Sequence, residues 1–167
     1  MGARMPSLAP LAWLPKGALG ILKEIARHAL RRPVVGIAAV ARTEDGRVLL
    51  VRRGDTGTWA LPGGTLEWGE VLSRALAREL EEETGATVVG LGRVTGVYSH
   101  PERDPRFHAV TICVEATVRE PVRGPKNAVE IREARLFAAD LLPSELAMGM
   151  SDMLSHALGG SGDVVLE

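Results

Sequence analysis

Apolar positions recur along this chain with two different periods. From Val34 they form short runs, "VVGIAAVAR" and "RVLLVRR", joined by "TEDG", whose Asp-Gly pair predicts a hairpin. "TVVGLGRVTGVYS" and "HAVTICVEATV" predict two longer strands on either side of the polar loop "HPERDPRF". After a Pro/Gly-rich break at Glu120 to Lys126, "VEIREARLF" predicts a further strand. Three stretches instead follow the helical period. In "PKGALGILKEIARHALRR", from Pro15 to Arg32, Leu19, Leu22, Ile25, Ala26, Ala29 and Leu30 share one side. Lys23, Glu24, Arg27, His28 and Arg31 take the other, and Pro33 stops the helix. That face suits packing on its own domain or on a dimer mate; a basic helix lying on a membrane surface is the alternative. A second helix is expected from about Gly69 to Thr84, closed by Gly85, and a last one from about Pro143 to Leu158. "GGSGDVVLE" reads as a loose tail.

Strands mixed with two or three helices, without repeats, predict one α/β domain in which helices cover a mixed sheet. The expected division is an N-terminal helical extension over 1–33, a domain over 34–158 and a flexible tail over 159–167. A length of 167 residues suits a single core. The net charge of −1 offers no broad basic field, so DNA and long RNA are not expected partners and any anionic ligand must be held by local groups. Cys113 is the only cysteine and sits in an apolar run, so it is expected to fill core space. The segment after Arg4 is apolar but broken by Pro10 and Pro15, and no run reaches the length of a membrane span, so a cytoplasmic location is expected.

The second helix changes what its buried face carries. With Glu79 at zero and about 100° per residue, Leu72, Ala75 and Leu76 fall within about 60° of it, and so do Glu82 and Glu83. Glu81 points the opposite way, as a solvated acid should. Like charges four residues apart weaken a helix, and partial burial raises the cost. A hard divalent cation would relieve it, because Mg²⁺ prefers carboxylate, water and phosphate oxygens. Pairing with nearby arginines, or simple exposure of the helix end, remains open on spacing alone.

Upstream residues sharpen the choice. Gly64, Glu70, Arg78, Glu79, Leu80, Glu82, Glu83 and Gly85 are spaced as G-x5-E-x7-R-E-U-x-E-E-x-G-U, with U a bulky aliphatic. That pattern resembles the signature of the Nudix hydrolases, with Ala86 departing from the usual larger aliphatic at the last position. The likeness extends from about Val34 to Leu158 and takes in "WALPGG" and "EIREARLF". It implies a mixed sheet sandwiched between helices (α/β/α) and hydrolysis of a diphosphate linked to another group, with Mg²⁺ or Mn²⁺ as cofactor. It further implies that Glu79, Glu82 and Glu83 are catalytic metal ligands helped by the Gly64 carbonyl, that Arg78 orients a carboxylate and that Glu70 steadies the turn. A further glutamate from a later loop would act as ligand or general base; Glu130 is the candidate and Glu133 the second choice.

Specificity lies outside this motif. Arg52 and Arg53 end a strand ahead of it, and Tyr98, Arg103, Arg106 and Phe107 bracket a loop that could form a lip over a substrate. "RDPR" is similar to a segment of some ADP-ribose pyrophosphatases, which makes ADP-ribose or a nucleoside diphosphate sugar the leading substrate. A nucleoside triphosphate or capped-RNA pyrophosphohydrolase is the alternative, and a nucleotide sensor that does not cleave is the alternative of another class. Trp59 and Trp68 are expected to pack, Trp13 to meet a dimer mate or a substrate, and His100 and His108 to lie in loops. A homodimer is expected, formed through the N-terminal helix or exchanged loops.

Overall fold

In the computed structural model of the protein, residues 32–120, 124–160 and 162–167 are described, together with Ile21. The chain divides into two units, Met1–Arg32 and Pro33–Glu167. The expected N-terminal helix, Trp13 and His28 lie outside the described residues, apart from Ile21, which is helical, and Arg32, which is not.

The second unit is a mixed sheet with a helix on each face. Its strands are β1 (Val34–Arg42), β2 (Val48–Arg53), β3 (Trp59–Ala60), β4 (Gly63–Thr65), β5 (Val88–Tyr98), β6 (Ala109–Val118), β7 (Ile131–Phe137) and β8 (Val165–Leu166). Helix α1 spans Leu72–Thr84 and α2 spans Met150–Leu158. The sheet runs β3-β2-β1-β6-β5-β8, with β4 on β1 and β7 on β2. The β1–β6 and β5–β8 ladders are parallel and the others antiparallel. β1 and β2 pair only at Arg42 and Val48, beside the Asp-Gly turn, and then diverge. β1 continues against β4 and β6, while β2 continues against β3 and β7.

Alternation along the central strands explains the layers. Ile37, Ala39, Ala41, Leu49, Val114 and Ala116 meet Ala75, Leu76 and Leu80 of α1. Ala38, Val40, Val48, Leu50 and Cys113 point the other way, towards Met150, Met153, Leu154 and Ala157 of α2. This period of two is what a strand buried on both faces requires. Complete burial of Leu76 or Leu80 is worth roughly 1.5–3 kcal/mol each relative to exposure. Gly85 ends α1 in the left-handed conformation (φ 69°), its N–H donating to the Glu81 carbonyl at 2.9 Å. Only glycine adopts that geometry without a Cβ penalty.

Three expectations are corrected. The last helix begins at Met150 rather than Pro143, because Met148 (φ 56°) and Gly149 (φ 66°) are both left-handed and break the helical path. Two short 3₁₀ turns, Ala139–Leu141 and Ala147–Gly149, fill the space before it. The tail is not loose at its end: Val165 and Leu166 pair with Gly96 and Val97, and the Glu167 N–H donates to the Val97 carbonyl at 3.0 Å. Trp68 is fully solvent-exposed on the β4–α1 loop, whereas Trp59 packs edge-on against Phe137 as expected, 4.9 Å between centroids.

Candidate active site

The sheet leaves a cleft of about 370 Å³ where β1, β4 and β6 meet the start of α2 and the 99–108 loop. Its floor is Gly36, Ile37 and Thr111. One end carries Gly63, Gly64, Glu79, Glu83 and Glu130; the other carries Tyr98, Phe107, Met148, Met150 and Met153.

The carboxylate end is fixed by close backbone approach. β4 lies on β1 with Gly64 opposite Ile37 and Gly63 opposite Ala38. A Cβ on Gly64 would collide with the Glu79 carboxylate, so glycine is required for that acid to enter. The Gly63 N–H donates to Glu83 Oε2 at 2.8 Å. Arg78 forms a fork with Glu70, its Nε and Nη2 each donating at 2.9 Å, while its Nη1 donates to Glu79 at 2.9 Å and lies 3.5 Å from Glu82. This guanidinium joins the turn before the helix to the acids on it. On the far wall the Gly54 N–H donates to the Glu130 carbonyl at 2.6 Å, and a Cβ on Gly54 would overlap the Val129 carbonyl.

Burial sets the charge state of these acids. It pushes the Glu83 carboxyl up to about 8, with Glu79 and Glu130 adding to the rise and the Gly63 N–H opposing it. Glu79 is also raised, chiefly by burial and against the pull of Arg78. Glu82 is the most exposed of the three, its side chain 45% accessible, and it turns towards Arg78 rather than lining the cleft. Among the described residues no three acidic, histidine or cysteine side chains converge into a ready-made metal cage. Glu79 and Glu83 nevertheless suit a divalent cation, because both are oxygen donors that burial disfavours as lone anions. Mg²⁺ commonly takes one or two carboxylates, with water and substrate phosphates completing its shell.

The other expected residues divide clearly. Arg53 reaches the cleft but is forked to Asp55, with Nε to Oδ1 at 3.0 Å and Nη2 to Oδ2 at 2.5 Å. Arg52 does not reach it: its Nε donates to the Gly57 carbonyl at 3.0 Å and it faces Glu133 at 4.0 Å. Adjacent strand residues point to opposite faces, and a register irregularity between Arg52 and Arg53 re-aims the pair. Glu133, opposite Arg52 beyond the register shift, stays out of the cleft with it, whereas Glu130, in the turn before β7, lines the cleft. Tyr98 borders the cleft but is 1% exposed, and its hydroxyl meets His156 Nδ1 at 3.0 Å. It is therefore wall and core, with no free face for a base, whereas Phe107 is partly open at the rim. Arg106 forks Asp104, at 2.9 and 2.7 Å, and lies over Phe107. Arg103 is bound to Glu167, with Nη2 to Oε1 at 2.6 Å. His100 lies in the loop, and His108 meets the Ser99 carbonyl at 2.9 Å.

Asp55, Asp104, Glu167 and the methionines were not anticipated from sequence. Asp55 and Asp104 each stand two residues from the arginine they hold, a local signal present in the chain. The methionines reach the cleft, and Glu167 reaches Arg103 beside it, only through tertiary packing. The described residues contain no helix long and apolar enough to cross a membrane.

Comparison with known proteins agrees with this geometry. The NUDIX domain model matches residues 30–157. A MutT-like protein of Streptomyces ambofaciens is 49% identical over 133 residues, covering 77% of this chain and 79% of that protein. An ADP-ribose pyrophosphatase of Methanocaldococcus jannaschii is 35% identical over 115 residues, covering 66% of this chain and 65% of the relative's length. The crystal structure of a MutT NUDIX hydrolase from Burkholderia pseudomallei superposes with a TM-score of 0.65 at 30% identity, covering 75% of this chain and 98% of that one. The chain belongs to the Nudix family of pyrophosphohydrolases.

Proposed function

We propose that the protein hydrolyses the pyrophosphate bond of a nucleoside diphosphate linked to a further group, ADP-ribose or a nucleoside diphosphate sugar in the first place, giving a nucleoside monophosphate and a sugar phosphate. The observation that carries this reading is the pairing of Glu79 and Glu83 with the Gly63–Gly64 backbone in a cleft that also offers the uncharged surfaces of Phe107 and of three methionines. A substrate with a charged middle and an uncharged flank matches those two features. The names of two relatives, ADP-ribose pyrophosphatases from Methanocaldococcus jannaschii and Bacillus subtilis, favour the same substrate class.

Glu79, Glu82 and Glu83, with the Gly64 carbonyl, would hold Mg²⁺ or Mn²⁺. Such a cation neutralises phosphate oxygens and lowers the pKa of a water. Arg78 keeps Glu79 in place by a charge-assisted hydrogen bond while Glu70 holds Arg78. Glu130, which lines the same cleft, would serve as a further ligand or take the proton of an attacking water, the latter a role worth about 10²- to 10⁴-fold.

Turnover of a panel in MgCl₂ tests the reading: ADP-ribose, UDP- and GDP-sugars, nucleoside triphosphates and capped RNA. Preferred cleavage of a diphosphate-linked sugar supports it, and preferred cleavage of triphosphates or caps replaces it. Tight binding without turnover of any member would make the protein a nucleotide sensor. Light scattering of the full chain tests the expected homodimer, which a monomeric mass would exclude.

A further inference from the structure

Every guanidinium that lines the cleft is already matched to an acid. Arg53 holds Asp55 and Arg106 holds Asp104, each within its own turn. Arg103 is different, because its partner is 64 residues further along the chain. Its Nε and Nη2 donate to the Glu167 carboxylate at 2.6–3.1 Å, Nη2 also faces Asp152 Oδ2 more distantly at 3.5 Å, its Nη1 donates to the Gly149 carbonyl at 2.8 Å, and its Cζ lies 5.2 Å from the centre of the Tyr98 ring. A Cβ on Gly149 would collide with Nη1, so the left-handed glycine there also makes room for this arginine.

Glu167 does not depend on Arg103 for its own position. Its Oε2 accepts the Ser99 and His100 N–H groups at 3.0 Å each, its carbonyl accepts the Ser99 hydroxyl at 2.9 Å, and its N–H bonds Val97. The carboxylate is thus anchored by backbone donors and can hold a guanidinium away from other anions.

We propose that Glu167 is a positioning residue for specificity: by holding Arg103 against Tyr98 and Gly149, it denies the cleft a free cation and disfavours a triphosphate relative to a diphosphate joined to an uncharged group. This inference rests on the function proposed above. The other two guanidiniums of the cleft, Arg53 and Arg106, are each forked by an acid of their own turn, so an additional phosphate meets no unpaired cation there unless Arg103 is released. Arg103 borders the same cleft as Glu79 and Glu83 and, of the three described arginines that line it, is the one whose acidic partners belong to separate segments.

The test compares the full chain with Glu167→Gln, which still accepts from Ser99 and His100 but lacks the charge. The ratio of kcat/KM for ATP to that for ADP-ribose, in MgCl₂, is expected to rise roughly tenfold, mainly through KM and less at high salt. Calorimetry with ATP is expected to show tighter binding by a similar factor, a result that can be read even where neither compound is hydrolysed. Adding Arg103→Met is expected to abolish both gains. An unchanged ratio with unchanged ATP affinity, or a gain that survives Arg103→Met, overturns the proposal. Amide exchange at Ser99 and His100 separates a structural effect: lost protection with both substrates slowed equally makes Glu167 a strand anchor only and also overturns it. Failure of the wild type to cleave ADP-ribose counts against the proposed function, whereas the ATP affinity of the two variants decides the role of Glu167.

Discussion

The carboxylate end of the cleft comes mainly from one stretch of chain, Gly63 to Glu83, with Glu130 facing it. The opposite end is assembled from Arg53, the 98–107 segment and Met148 to Met153, with Glu167 behind Arg103. In the first region the helical period, two glycines and one arginine place the acids almost without help from the rest of the molecule. In the second, Arg53 and Arg106 are held by acids of their own turns, but Tyr98 and Arg103 are placed by contacts with distant segments. On the function proposed above, chemistry would be concentrated in a local unit and selectivity would depend more on long-range packing. Substitutions should separate the two: those at the first end change turnover, and those at the second change which substrate is preferred.

The sharpest test of that contrast is Glu83→Gln, expected to lower kcat by about 10³-fold or more if metal-assisted attack is the chemistry, with circular dichroism unchanged. Near-normal turnover would remove Glu83 from the reaction. Gly64→Ala is expected to cost about 10²-fold in kcat by displacing the Glu79 carboxylate, since misplacement by about 1 Å can have that effect. At the other end, Tyr98→Ala is expected to cost about 3–5 kcal/mol of stability, as for other large buried aromatics, and is read as a fall in the denaturant midpoint. Loss of turnover with full stability would mean that Tyr98 contacts substrate after all.

The smallest expected effect concerns pH. Arg103 holds the Glu167 carboxyl down at about 2, below the usual 4.5. The folded state thus binds fewer protons there than the unfolded state, so the pair stabilises fully above about 4.5, and that contribution is lost as pH falls towards 2. Urea midpoints between pH 5 and 2 should fall more steeply for the wild type than for Glu167→Gln. Equal slopes would show that the exposed pair contributes little.

The same contrast explains what could be read from the sequence. β1, β2, β5, β6 and β7 followed from alternation and turn residues, and α1 from its apolar stripe and Gly85. The acidic stripe identified Glu79 and Glu83 because helical geometry is local. The stripe did not show that Arg78 would draw Glu82 outward, since that depends on a rotamer chosen among competing partners. Arg52 and Arg53 were indistinguishable until strand pairing and its irregularity decided which faced the cleft. The last helix was read too long because Met148 adopts a left-handed backbone that no local residue preference announces. β8 was missed because two residues carry almost no pattern, and only the open edge of β5 gives them a place.

The course of β1 has a practical consequence for anyone assaying the protein. One strand supplies Gly36 and Ile37 to the cleft while its other residues pack against both helical layers, so the cleft floor shares its core with the whole unit. Heating should therefore leave activity nearly intact until the whole unit melts, and residual turnover after a heat step would serve as a direct count of surviving folded molecules.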